Sequence, residues 1–304
     1  MKTVIALGFF DGVHLGHQAL MARAVERGRE HGLEPAVFTF DRSPREFVTG
    51  KPVPLLTSPE ERRRLVEESF PIRRVIVAKF DRAMMTMPWM DFLRVLAGRY
   101  NAGWLVAGHD FRFGHRNEGD AALLARGAAE LGMGWDIIPA VAVDGVTVSS
   151  TRIRSLLEEG RAEEAGRLLG RPFSIAGTIA HGKGLGSRIG RPTLNLLPGG
   201  DQLIPARGVY VAAAELAGRR FPAVTNVGVR PTVDRDGGVT VESHLLEAEG
   251  DFYGESCRVS LLKRLRPEEE FPGLRELQAQ IAADAEAARE YFRKFPEIIG
   301  GFRP

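Results

Sequence analysis

The sequence predicts two domains of different class: an α/β domain built on a parallel, Rossmann-like sheet, then a small antiparallel β-barrel with a C-terminal helix packed on it. Three observations carry this. Over the first part of the chain, short apolar runs alternate with stretches of helical periodicity. Beyond Gly170-Arg171-Pro172 the alternation stops, and β-like runs follow one another with Gly, Pro and Asp-Gly between them. The final stretch changes period again, from two to about 3.6. The domains expected are therefore residues 1–170 and 171–304.

The elements follow in order. Val4-Ile5-Ala6-Leu7-Gly8 is a short apolar run closed by glycine, as in a buried parallel strand. A helix is expected over 17–30, with Leu20, Ala24 and Val25 on one face, then a strand over 36–40. Ser58-Pro59-Glu60-Glu61 is a helix start, with serine at the N-cap and proline at the first helical position. Strands at 75–78, 104–108 and 135–138 are separated by helices near 89–97 and 121–131, and 161–169 closes the first domain. In the second half, runs at 173–179, 209–216, 221–226, 240–247 and 258–265 read as strands. Phe271, Leu274, Leu277, Ile281, Ala285 and Ala288 mark one face of a helix laid on that barrel.

Composition narrows the class. An apolar fraction of 44% and a charged fraction of 26% are those of a globular protein, and no apolar run approaches a membrane span. No signal peptide is expected: residues 4–7 soon meet Asp11 and His14. The single cysteine, Cys257, excludes an internal disulfide and suits a reducing cytoplasmic setting. With 41 basic and 39 acidic residues the net charge is only +2, so no electrostatic case for nucleic acid arises, and no membrane partner is expected. Nothing in the sequence sets an oligomeric state.

Two strings carry chemistry. Residues 8–17, Gly-Phe-Phe-Asp-Gly-Val-His-Leu-Gly-His, follow the first strand and open a helix. His14 and His17, three apart, can face one pocket, while Gly12 and Gly16 let backbone approach a ligand at an anion-favouring helix N-terminus. Such imidazoles can stabilise charge on an attacked phosphate. The spacing also suits a metal, but no third ligand stands nearby. Gly108-His109-Asp110-Phe111-Arg112-Phe113-Gly114 follows a later strand, and Ser149-Ser150-Thr151-Arg152-Ile153-Arg154 opens a later helix, where an N-cap is the simpler explanation. The second string, 182–190, is glycine-rich without the ending of a Walker A loop. It leads into Pro192-Thr193-Leu194-Asn195, whose hydroxyl and amide are oxygen ligands suited to Mg²⁺.

These patterns resemble a known family. GxFDGxHxGHQ over 8–18, GxDFRFG over 108–114 and SSTxIR over 149–154 resemble the adenylyltransferase domain of the bacterial bifunctional riboflavin kinase/FAD synthetases, within the HxGH nucleotidyltransferase superfamily. The resemblance implies transfer of AMP from ATP to FMN, giving FAD and pyrophosphate. It implies His14 and His17 as the catalytic pair. Gly8, Phe9, Asp11, Gly12, Asp110, Arg112, Ser150, Thr151 and Arg154 would then hold the nucleotide. The family carries a Pro-His-Pro-like segment after its second strand; here Asp41-Arg42-Ser43-Pro44 stands there, and Arg42 is the candidate substitute.

Residues 171–295 resemble the family's riboflavin kinase domain, through Thr193 and Asn195, Thr225-Asn226-Val227-Gly228, Val241-Glu242-Ser243-His244, Phe252-Tyr253-Gly254 and the helix around 280–284. The resemblance implies a Mg-ATP site at Thr193 and Asn195, covered by Gly182, Gly184 and Gly186, and Glu242 as general base for the riboflavin hydroxyl. On position alone Glu242 would be an exposed strand carboxylate. Arg191 stands where the family more often has an aromatic, and His181 reads as turn filler. The expected activity is synthesis of FMN, then FAD. The rivals are a riboflavin kinase with a degenerate first domain and a flavin-sensing binding protein.

Overall fold

Residues 1–180, 193–229, 239–246, 248 and 252–300 are described in a computed structural model, which divides into two units, Met1–Ser150 and Thr151–Pro304. In the first unit the chain runs through β1 (Thr3–Leu7), α1 (Leu15–His31), β2 (Glu34–Phe40), α2 (Pro44–Thr49), α3 (Pro59–Ser69) and β3 (Arg74–Ala78). It continues through α4 (Arg82–Met85), α5 (Trp89–Arg99), β4 (Ala102–Gly108), α6 (Ala121–Glu130), β5 (Gly134–Ile138) and a small hairpin, β6 (Ala142–Val143) with β7 (Val146–Thr147).

The first five strands form one parallel sheet in the order β3-β2-β1-β4-β5. Central β1 is buried along its whole length, and its alternation divides the core. Ile5 and Leu7 join Phe38, Leu93, Leu96 and Leu105 on one face; Val4 and Ala6 join Met21, Ala24, Val37 and Val106 on the other. The order reverses at β1, between β2 and β4, so a ligand crevice is expected beyond the carboxyl ends of these strands. α3 starts as its sequence dictates: Ser58 caps it by accepting from Glu61 N at 3.1 Å, with Pro59 in the first turn.

The helix α7 (Ser150–Glu158) begins at the last residue of the first unit. The second unit continues with α8 (Ala162–Leu169), β8 (Phe173–Ala180), β9 (Thr193–Pro198), β10 (Gly208–Leu216), β11 (Arg219–Val229), β12 (Val239–Leu245), β13 (Ser256–Arg266), α9 (Leu274–Lys294) and α10 (Glu297–Gly300). Six strands close a barrel in the order β10-β11-β12-β9-β8-β13, every pairing among them antiparallel. Closure removes the sheet edges a small β domain would otherwise expose. Inward residues include Leu194, Leu196, Val241, Leu245 and a buried hydroxyl pair, Thr225 with Ser243 at 2.8 Å.

Three expectations change. Residues 161–169 were expected to close the first domain, but α8 belongs to the second unit and packs on β13 and β8. Thr193 and Asn195 lie on a strand, β9, that the sequence pattern did not single out, because Thr-Leu-Asn-Leu is short and follows the glycine-rich string. The apolar face of α9 is shorter at its start: Phe271 precedes the helix and Leu274 is exposed. Ala285 and Ala288 are buried as expected, Ala288 packing with Val211, Ala213 and Leu262, and Asp284 is buried beside them.

Candidate active sites

The β1–α1 loop is held in an unusual backbone. Phe10 (φ 57), Gly12 (φ 84) and Val13 (φ 42) all adopt positive φ, which for a β-branched residue is uncommon and costly. The surroundings over-determine it. Phe10 and Val13 are buried, the Gln18 amide donates to the Val13 carbonyl at 2.9 Å, and Gly12 N donates to Thr57 Oγ1 at 3.0 Å. The Asp11 carboxylate, 2% exposed, accepts from Thr57 N at 3.0 Å, so it is turned inward onto the residue before the α3 cap. Its own carbonyl accepts from Ser150 Oγ at 2.9 Å.

His14 and His17 are brought together as their spacing suggested. Their rings stack at 3.5 Å with an interplanar angle of 17°, and His14 caps α1 by accepting from His17 N at its Nδ1, 3.3 Å away. In the neutral ring that bond leaves the proton on Nε2, so His14 offers an N–H donor at the head of the helix. The first turn of α1 carries no acidic residue, and the helix dipole favours an anion there. Gly16 keeps room beside the stack: a Cβ on it would stand 3.1 Å from the His14 ring, which would have to give by a few tenths of an ångström. Gly8 and Phe9 complete the loop, with Phe9 over the guanidinium of Arg62 at 4.1 Å.

The loop after β4 leaves the neighbouring strand. Phe111 and Phe113 stack at 5.6 Å and pack toward the core, which puts Asp110 and Arg112 on the exposed side, Arg112 3.6 Å from Asp120. Ser150 is tied to the histidine loop, while Thr151 (exposed) and Arg154 (half-buried) lie further along α7 in the second unit. Arg42 is exposed, 4.0 Å from Asp41 and over the Phe47 ring at 5.8 Å. Ser43, its neighbour, is the N-cap of α2, accepting from Glu46 N at 3.3 Å.

On the barrel, strand register assembles the second site. Asn195 pairs with Glu242, Glu242 with Asn226, Asn226 with Val209, and Val209 with Arg266, one row across five strands. In the next row Thr193 pairs with His244 and His244 with Val224. Because side chains alternate, Thr193, Asn195, Asn226, Glu242 and His244 share the outer face while their neighbours fill the barrel. A cavity of about 280 Å³ opens there, lined by Thr193, Asn226, Glu242, His244, Arg266 and Phe271 among others. Its α9 side is anchored by buried Asp284, which accepts from Arg266 at 2.8 Å and from Gln280 at 3.0 Å. Asn226, His244 and Arg266 were not singled out as site residues; the alternation Glu242-x-His244 was the available signal. Gly182, Gly184 and Gly186, with His181 and Arg191, lie outside the described residues.

The donor set fits a hard cation. Thr193 and Asn195 offer hydroxyl and amide oxygens from one face of β9, with the Glu242 carboxylate beside Asn195. Among the described residues, no group of three or more His, Cys, Asp or Glu side chains forms a metal site.

Residues 1–152 match the FAD synthetase family, and residues 169–292 match the riboflavin kinase family. The chain is 37% identical to the bifunctional riboflavin kinase/FMN adenylyltransferase of Pseudomonas fluorescens over 94% of this chain and 92% of that one. It is 38% identical to the Escherichia coli K12 protein of the same name, over 95% and 92% of the two chains. The chain belongs to the bifunctional riboflavin kinase/FMN adenylyltransferase family. The family's Bacillus subtilis member is 33% identical over 96% of this chain and 93% of its own length. A crystal structure described as a macrolide-efflux protein from Streptococcus pneumoniae superposes with a TM-score of 0.86 at 31% identity, over 95% of this chain and 94% of that one. No helix among the described residues of this riboflavin kinase/FMN adenylyltransferase family member is long and apolar enough to cross a membrane. The histidine loop lies in the stretch matching FAD synthetase, and Glu242, Thr193 and Asn195 lie in the stretch matching riboflavin kinase.

Proposed function

We propose that this chain phosphorylates riboflavin with ATP to give FMN and then adenylylates FMN with a second ATP to give FAD and pyrophosphate. Residues 1–152, the stretch matching FAD synthetase, would carry the adenylyl transfer, and residues 169–292, the stretch matching riboflavin kinase, the phosphorylation. The observation that carries the proposal is that both family matches stand end to end on one chain whose relatives match it over nearly their full length.

The two reactions ask different things of the protein. FMN is a phosphate monoester, already largely ionised at neutral pH, so adenylyl transfer needs positioning and charge stabilisation rather than a base. His14, with its Nε2–H, and His17 supply donors to the attacked α-phosphate at the head of α1, and pyrophosphate leaves. Gly8, Phe9 and Gly12 line the approach, Asp11 holds the loop from behind, and Asp110, Arg112, Ser150, Thr151 and Arg154 are assigned to nucleotide and FMN. Riboflavin's hydroxyl, by contrast, must lose a proton as it attacks the γ-phosphate. Glu242 would take it, a reading supported by its position on the exposed face of the barrel at the cavity. Thr193 and Asn195 would hold Mg²⁺ together with the phosphates of ATP, and Gly182, Gly184 and Gly186 would cover them. When bound, the ion neutralises charge on the phosphates being separated. A cytosolic setting, where riboflavin and ATP are at hand, is proposed with it; buried Cys257 is a free thiol.

The test is chromatographic. Purified protein, riboflavin, ATP and Mg²⁺ should yield FMN, then FAD. FMN that accumulates without FAD would make the chain a kinase with an inactive first domain. Flavin binding without any product would make it a sensor.

A further inference from the structure

One charged side chain beneath the histidine loop has no role in the reaction as described. Arg62, in the first turns of α3, is 2% exposed, yet it forms no ion pair among the described residues. Its Nη1 donates to Thr39 Oγ1 at 3.1 Å and to the Phe40 carbonyl at 3.2 Å. Its Nε and Nη2, the edge of the guanidinium that grips phosphates and carboxylates in pairs, are buried with no hydrogen-bond partner among the described residues. Buried donors without partners are rare and call for a cause. Burial also pushes this guanidinium down to about 10, Asp11 and Glu60 pulling the other way, so it remains charged at neutral pH.

Its place in the fold supplies the cause. Thr39 and Phe40 end β2, and Phe9 follows β1, so Arg62 lies at the carboxyl ends of adjacent strands beside the switch of strand order. The Phe9 ring lies on it at 4.1 Å, and the Phe9 carbonyl accepts from the same Thr39 hydroxyl, at 2.8 Å, that Arg62 engages. α3 is tied to the histidine loop a second time, through Thr57 to Asp11 and Gly12. A buried charge is screened weakly by salt and acts at longer range than a surface one.

We propose that Arg62 is a positioning residue for the triphosphate of ATP in the adenylyl site, acting through Phe9 and through a positive charge that the fold leaves for the nucleotide to neutralise. It holds the loop that presents His14 and His17, and its charge offsets the repulsion between two phosphorylated substrates. This rests on the adenylyl transfer proposed above.

The experiment compares wild type, Arg62→Met and Arg62→Lys in the full chain, measuring FAD formation from FMN and riboflavin phosphorylation separately. R62M should raise KM for ATP in FAD formation at least about tenfold, a loss of about 1.4 kcal/mol. Riboflavin phosphorylation should stay within about twofold of wild type, and Tm should fall by no more than a few degrees, because relief of the desolvated charge opposes the loss of the bonds to Thr39 and Phe40. R62K, which keeps the charge, should recover most of the loss. A KM for ATP within about twofold of wild type in R62M, or an R62K as impaired as R62M, overturns the proposal. Should R62M not fold, the Nε–H resonance of Arg62 in the wild-type protein decides, assigned by its absence in R62K: it should move on addition of MgATP, and no movement at saturation overturns the proposal. A wild-type protein that makes no FAD at all would instead count against the adenylyl transfer itself.

Discussion

Ser150 Oγ donates a hydrogen bond of 2.9 Å to the carbonyl of Asp11, tying the last residue of the first unit to the loop that carries His14 and His17. The two residues are far apart in sequence, and each stands in a motif that is weak alone. The bond holds the loop in addition to the Thr57 contacts. Ser150→Ala should therefore lower FAD formation about fivefold to tenfold, the effect of one neutral hydrogen bond, and leave riboflavin phosphorylation unchanged. Steady-state rates of the two half-reactions check it.

His14 and His17 differ in what their loss should do to the fold. His14→Ala removes both a phosphate donor and the cap of α1, so FAD formation should fall about 10²–10³-fold and stability by about 1 kcal/mol. His17→Ala should match it in rate and exceed it in Tm. Equal melting temperatures with unequal rates would break this division of roles.

Glu242→Gln keeps the shape of the row between Asn195 and Asn226 but cannot take a proton. FMN formation should fall about 10²–10⁴-fold, while FAD formation from supplied FMN persists. Thr193→Val should instead raise the Mg²⁺ concentration needed for half-maximal phosphorylation, read from a metal titration.

Cys257 is buried in β13, and burial pushes its thiol up to about 12, with Arg258 opposing. At pH 8 it should scarcely react with a thiol reagent in the native protein and react fully in denaturant. Rapid native labelling would show that β13 opens.

Asp136 accepts from Arg27 at 2.8 and 3.0 Å and from Trp104 Nε1 at 2.7 Å. Burial alone would raise its carboxyl, but these bonds outweigh it and hold the group below the usual carboxylate range. Its stabilisation is thus present above the unfolded value of about 3.9 and is lost as pH falls through the lower folded value. Asp136→Asn should lower Tm at pH 7 and flatten its decline below pH 4, measured by calorimetry across that range.

Much of this molecule is local, and the local part was legible. Strands β1 to β5 are short apolar runs, α3 announces itself by Ser58-Pro59, and the helical period of 271–288 points to α9. The short α2 and the β6–β7 hairpin were missed, because six residues and two-residue strands leave too little periodicity to see. The histidine pair was found because its residues are three apart and share a helix start.

By itself the sequence determined the two fold classes and the motif order, and it proposed His14 and His17 from their spacing and Thr193, Asn195 and Glu242 through the resemblance of the motifs around them. Only the tertiary structure decided that Asn226 and Arg266 share the row of Glu242, that Asp284 anchors the far side of the cavity, and that Arg62 lies beneath Phe9. Strand register, barrel closure and the burial of a charge are set by contacts between residues distant in the chain. No local period records which of them will meet.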